Sequence, residues 1–275
     1  MRLGLTSIAG EKRPVAQVDG GLVALKAPAG ATLLDLIAGG EALSIDSGAE
    51  PFEDVRLLAP LRPPKIVAIG LNYLDHIRET KLEAPTRPLV FTKFTTSLIG
   101  DGDEIVIDRE LTARVDWEVE LGVVIGRRMS RVGERDALDY VFGYTAANDV
   151  SARDLQFADG QWVRAKSLDT FCPLGPVVVT ADEIPDPQQL SLSTRVNGET
   201  VQSSSTSEMI FGVAELLSFC SHSFALEPGD VVLTGTPWGC GEFMSPVRSL
   251  QAGDVVEVEV ERIGMLRNQV VELGR

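Results

Sequence analysis

The sequence predicts a β-rich α+β fold, with a small N-terminal domain ahead of a large part built on a closed or rolled mixed sheet. Three observations point there. Short apolar runs bounded by Pro, Gly or acidic turns recur at 65–70, 88–93, 117–125, 175–179, 192–197, 231–234 and 255–261, the signature of buried strands. Helical spacing is clear over only one long segment, 207–222, where Met209, Ile210, Val213, Leu216, Leu217 and Cys220 recur on one face. Pro60, Pro63 and Pro64 fall within five positions, denying backbone donors and disfavouring helix, so a domain boundary is placed between residues 1–62 and 63–275. Many strands with few helices favour long-range pairing over a doubly wound layer fold.

In chain order, residues 21–27 read as a strand. Thr32 is an N-cap for a helix ending at Gly39-Gly40. The large part opens with the strand Lys65–Gly70, followed by Asn72-Tyr73-Leu74-Asp75-His76-Ile77-Arg78-Glu79. One helical turn here would put His76 and Glu79 on the same side, where the carboxylate fixes the imidazole tautomer and raises its basicity. That is a general-base dyad, and the prolines at 85 and 88 suggest a flap after it. The segments 226–233 and 250–258 share a Gly-Asp turn leading into a valine-rich strand.

Length and composition fit a globular protein: 275 residues, 44% hydrophobic and 24% charged. No apolar stretch is long enough to span a membrane. The N-terminus carries no secretory pattern, which makes the expected location cytoplasmic. Cys172, Cys220 and Cys240 are widely spaced with no Cys-x-x-Cys, pointing to core thiols rather than a disulfide framework or a thiolate zinc site. A formal charge of −15 repels nucleic acid and anionic membranes. An anionic substrate would therefore need positive charge gathered locally.

Within Asp116-Trp117-Glu118-Val119-Glu120-Leu121-Gly122-Val123-Val124-Ile125, strand alternation places Glu118 and Glu120 on one face and Val119, Leu121, Val123 and Ile125 on the other. Two carboxylates this close repel unless a cation lies between them. Taken alone, the pair equally suits an amphipathic strand with its acids in water. A third acid, Asp149, sits among small and apolar neighbours in Gly143-Tyr144-Thr145-Ala146-Ala147-Asn148-Asp149-Val150-Ser151-Ala152-Arg153. Three carboxylates without a spare His or Cys specify a hard, oxygen-preferring cation, Mg²⁺ or Mn²⁺ ahead of Ca²⁺. Lys93, Arg153 and Lys166 could offset the acids and clamp a keto acid. The strand ending Leu233-Thr234-Gly235-Thr236-Pro237-Trp238-Gly239-Cys240-Gly241 leads into a glycine-rich loop. Its backbone N–H groups and the Thr236 hydroxyl can approach a carboxylate.

Read together and in order, NYLDHIRE, VDWEVELGVVIG, GYTAANDVSARDLQ, AKSLDTFCPLGP and LEPGDVVLTGTPWGCG make the chain resemble the fumarylacetoacetate hydrolase family, with its look nearest to the bacterial branch of domain-containing-2 and ureidoglycolate lyase-like proteins. The resemblance implies a mixed β-roll catalytic domain, a homodimer and no organic cofactor. It also implies a divalent metal on Glu118, Glu120 and Asp149, with His76 and Glu79 on a lid, Lys166 beside the metal, and Arg153, Gln156, Thr236, Gly235 and, less securely, Lys93 at the substrate. The expected activity is hydrolytic C–C cleavage of a small 1,3-diketo acid through a metal-bound enolate. The same residues equally support an oxaloacetate-type decarboxylase or a keto–enol isomerase. A small-molecule binding protein is the non-enzymatic alternative.

Overall fold

The computed structural model describes residues 1–274 apart from positions 20, 41 and 54. Strands dominate it, as the apolar runs predict. An eleven-stranded sheet has a central path from Gly21–Ala24 through Glu11–Val18, Arg2–Ile8, Cys172–Thr180, Val141–Asn148, Val119–Ile125, Val231–Leu233 and Ile66–Gly70 to Leu89–Lys93. Val231–Leu233 runs parallel to Ile66–Gly70, while its other neighbour, Val119–Ile125, is antiparallel. A five-stranded sheet is ordered Glu199–Ser205, Ser191–Val196, Val255–Val260, Gly264–Glu272, Glu104–Ile107. Both sheets mix parallel and antiparallel pairs.

The N-terminal segment continues the large sheet, since Arg2 pairs with Val179 and Leu3 with Val178. Its helix, Leu33–Gly39, carries the expected cap: Thr32 and Asp35 form a reciprocal capping box, and Gly40 closes the helix with φ +66°. The two Gly-Asp turns share one device. The Asp230 carboxylate accepts from Glu227 N at 2.5 Å and that of Asp254 from Gln251 N at 2.8 Å, satisfying the turn ahead of each strand.

Three sequence expectations shift. The helix predicted over 207–222 is confined to Val213–Ser223. Gly212 is its N-cap in extended conformation, and Ile210 N donates instead to Asn72 O at 2.7 Å. The strand predicted from Trp117 starts at Val119, because Glu118 N is taken by the Asn148 side chain at 3.0 Å rather than by a ladder partner. Val141–Asn148, read only as the setting of Asp149, is itself a central strand.

Val119, Leu121, Val123 and Ile125 lie in the main core with Trp117, Leu192, Leu216 and Val258. The opposite face is also covered: Val124 and Ala147 pack with Leu3, Ile37, Ile66 and Val178 in a second core. Glu118 and Glu120 are themselves buried, at 5% and 1% exposure, so the solvated-strand alternative for them is overturned. The Leu121→Ala substitution is expected to cost about 2–5 kcal/mol, read as a lower denaturant midpoint with an unchanged slope.

Candidate active site

Antiparallel pairing of Val119 with Asn148 and Glu120 with Ala147 brings the turn after Asn148 against the start of the first strand. Asp149 N then donates to Glu118 O at 2.8 Å. The result is a carboxylate oxygen from each of Glu118, Glu120 and Asp149, all within 4.8 Å of one another and all buried. On the other flank, Val231–Leu233 pairs with Gly122–Val124, and Gly235 N reaches Glu120 Oε2 at 2.8 Å. Gly235 holds φ +98°, and a Cβ there would meet Asn72 Cβ at 2.9 Å, so glycine is required by both conformation and space. Asn72 pins this junction from below, donating to Phe211 O and Thr234 O at 3.0 and 2.9 Å.

Buried cations face the acids. Lys166 Nζ contacts Glu118 Oε2 at 2.7 Å and Asp149 Oδ2 at 3.0 Å. Lys93 Nζ contacts Asp149 Oδ1 at 2.5 Å and also donates to Lys166 O. Arg153 reaches Glu118 Oε1 at 2.7 Å and Asp116 Oδ2 at 2.9 Å. Burial opposes charge on Glu118, yet Lys166 and Arg153 hold its carboxyl at about 2. Burial likewise opposes charge on Lys166, but Asp149 and Glu118 raise its pKa. Glu120 is the exception. Burial and then the charges of Asp149 and Glu118 push its pKa well above the usual carboxylate range.

Asp116, Glu118, Glu120 and Asp149 are thus four buried carboxylates against three buried cations, Lys93, Arg153 and Lys166. The unmatched acid, Glu120, belongs to the oxygen-only trio. The donor set therefore fits one further hard cation, and Glu118, Glu120 and Asp149 would hold it.

His76 and Glu79 sit on the helix Leu74–Thr80, and His76 Nδ1 lies 3.0 Å from Glu79 Oε2. The other Glu79 oxygen accepts from Gly239 N at 2.9 Å, and Asp75 accepts from Ser204 Oγ at 2.5 Å, so the helix is fastened to the glycine-rich loop and to the strand Glu199–Ser205. His76 is packed edge-on to Phe243, with centroids 5.5 Å apart.

His76, Glu118 and Glu120 open on one cavity of about 90 Å³, lined also by Arg153, Gln156, Lys166 and Thr236. Gln156 accepts from Arg153 Nη1 at 2.9 Å, and Thr236 Oγ1 accepts from Gln202 Nε2 at 3.0 Å. Glu79, Asp149, Lys93 and Gly235 are absent from that lining, and Glu79 acts from behind His76. Lys93 works from beneath Asp149, and Gly235 acts through its N–H on Glu120.

Two contributors escaped the sequence analysis. Asp116 holds the Arg153 Nε at 2.9 Å and accepts from Gly241 N at 2.8 Å; its place two residues before Glu118 was the available signal. Trp162 walls the cavity, edge-on to Phe91 with centroids 5.4 Å apart, and is seated on Gly70, where a Cβ would fall 2.3 Å from its ring. No spacing rule flags it.

Fold and site together define a β-rich enzyme, with buried acids and a carboxylate-held histidine at one cavity. Residues 65–271 match the family described as fumarylacetoacetate (FAA) hydrolase C-terminal, and the chain belongs to that family. It is 47% identical over 223 residues to the mitochondrial oxaloacetate tautomerase Fahd2a of Rattus norvegicus, covering 80% of this chain and 71% of that protein. Among solved structures, the fumarylacetoacetate hydrolase of Exiguobacterium antarcticum superposes with a TM-score of 0.91 at 40% identity, over 99% of both chains. The 5-carboxymethyl-2-hydroxymuconate delta-isomerase of Mycobacterium smegmatis gives 0.83 at 39%, over 100% of both. Among the described residues no helix is long and apolar enough to cross a membrane.

Because a bound cation requires Glu120 ionised and its pKa is raised, a proton and the cation compete for it. Mg²⁺ affinity measured by calorimetry is expected to fall as pH is lowered, with a proton released on binding. The Glu120→Gln substitution should flatten that dependence and weaken binding.

Proposed function

We propose that the protein catalyses keto–enol tautomerisation of a small keto acid of the oxaloacetate class. One observation carries this: a histidine held by a carboxylate faces the same cavity as the acid cluster, and at about 90 Å³ that cavity is well below the roughly 300–1,000 Å³ of pockets that take drug-sized ligands. The tautomerase relative and the isomerase neighbour support the same chemistry.

Arg153 and the free amide of Gln156 would bind a substrate carboxylate, with Arg153 kept in place by Asp116. Glu79 occupies Nδ1 of His76, leaving Nε2 to take the proton from the carbon beside the keto group and deliver it to the oxygen, or the reverse. The Lys166 ammonium supplies positive charge beside the developing oxyanion. Thr236 completes the wall. Glu118, Glu120 and Asp149 would hold Mg²⁺ or Mn²⁺, which supplies Lewis-acid polarisation of the keto oxygen when bound.

A second reading, hydrolytic C–C cleavage of a 1,3-diketo acid, rests on the same dyad, which could activate water, and on the likeness to the Exiguobacterium hydrolase. We carry the homodimer as part of the proposal; sedimentation of the full chain at twice the monomer mass supports it, and a monomer removes it.

The test follows enol oxaloacetate and an acylpyruvate with Mg²⁺-loaded wild type and His76→Ala. We expect enol-to-keto conversion that falls about 10²- to 10⁴-fold in the variant. Acylpyruvate cleavage without tautomerisation would install the second reading, and tautomerisation indifferent to His76 would overturn the role of the dyad.

A further inference from the structure

The helix Leu74–Thr80 and the glycine-rich loop after Val231–Leu233 come from distant parts of the chain, yet they bring together three unlike donors. His76, Glu79 and Cys240 each offer a nitrogen, oxygen or sulfur atom within 4.8 Å of the other two. The His76 and Glu79 atoms are already 3.0 Å apart, a spacing suited to two corners of a tetrahedral ligand set. The Cys240 thiol is buried, and its contacts are weak ones, at 3.9 Å to Gln202 Nε2 and 3.9 Å to Pro237 O. Sulfur, imidazole and one carboxylate form a borderline-soft set that differs in kind from the oxygen-only trio of Glu118, Glu120 and Asp149.

We propose that His76, Glu79 and Cys240 form a second cation site, taking Zn²⁺ or a similar thiophilic divalent ion and leaving a fourth position for water. On binding, the Cys240 S–H proton passes to solvent and the thiolate and the imidazole nitrogen donate to the ion, with no change of oxidation state. The site exists only while the helix rests on the loop, because His76 and Glu79 come from one and Cys240 from the other. An ion there stabilises that arrangement by its preferential binding and occupies the histidine. Resting on the tautomerase reading, this makes Zn²⁺ an inhibitor that clamps the helix. The binding claim itself is independent of that reading.

The test uses the full chain saturated with Mg²⁺ and Co²⁺ as a spectroscopic probe. Wild type should give a thiolate-to-cobalt charge-transfer band that is lost in Cys240→Ala and kept in Cys172→Ala and Cys220→Ala. Zn²⁺ affinity, measured by competition with a chromogenic chelator, should drop at least about tenfold in Cys240→Ala, with circular dichroism confirming that the variant is folded. Hydrogen exchange over residues 74–80 should slow with Zn²⁺ in wild type alone. Absence of the band in wild type, or its survival in Cys240→Ala, would overturn the site. Unchanged exchange would overturn the clamp. Zn²⁺ inhibition that excess Mg²⁺ relieves would assign the effect to the oxygen site instead. Should no keto acid be turned over at all, the band and the competition still decide the second site, so the two failures are told apart.

Discussion

The pairing of Val119–Ile125 with Val141–Asn148 is the constraint on which the rest of the site depends. It fixes Asp149 against Glu118 and gathers three buried carboxylates between two apolar cores, beside the cavity. Burying charge in such a place is costly unless each charge is paired. Lys166, Lys93 and Arg153 supply the pairing, and their positions in turn dictate where the segments at 93, 153 and 166 must lie. Much of the cavity wall is therefore set by charge compensation as well as by apolar packing.

That compensation is incomplete in one place. Glu118 and Asp149 have ammonium or guanidinium partners, whereas Glu120 has the Gly235 N–H. The result is two carboxylates two residues apart, one just before the strand Val119–Ile125 and one within it, with opposite protonation tendencies. Environment rather than residue type separates them, since the pair shares one side-chain chemistry. A site that carries a deficit of one positive charge, beside a histidine held by a carboxylate, is prepared for both a cation and proton transfer.

The helix Leu74–Thr80 links this buried chemistry to the outside. It is short, and hydrogen bonds tie it to the glycine-rich loop and to the strand Glu199–Ser205, while His76 and Ile77 are buried. The residues that would handle the proton ride on this helix, while the acids lie on and beside the central strand pair Val119–Ile125 and Val141–Asn148.

By itself the sequence determined the strand-rich class, because alternation and Gly or Pro boundaries are local properties. The same holds for the shared face of Glu118 and Glu120, the capped helix after Thr32 and the i, i+3 pair of His76 and Glu79, since each depends on spacing within one element. The ordered motifs also pointed to the family. Only the tertiary structure decided that both faces of the Glu118–Glu120 strand are covered, because its second face is closed by Leu3 and other residues far away in sequence. It likewise shortened the helix at Gly212, where Asn72 captures the backbone of residue 210. Lys93 was drawn under Asp149 instead of into the cavity, and Cys240 was brought to His76 and Glu79. Those outcomes turn on pairing between segments many tens of residues apart, which no local pattern encodes.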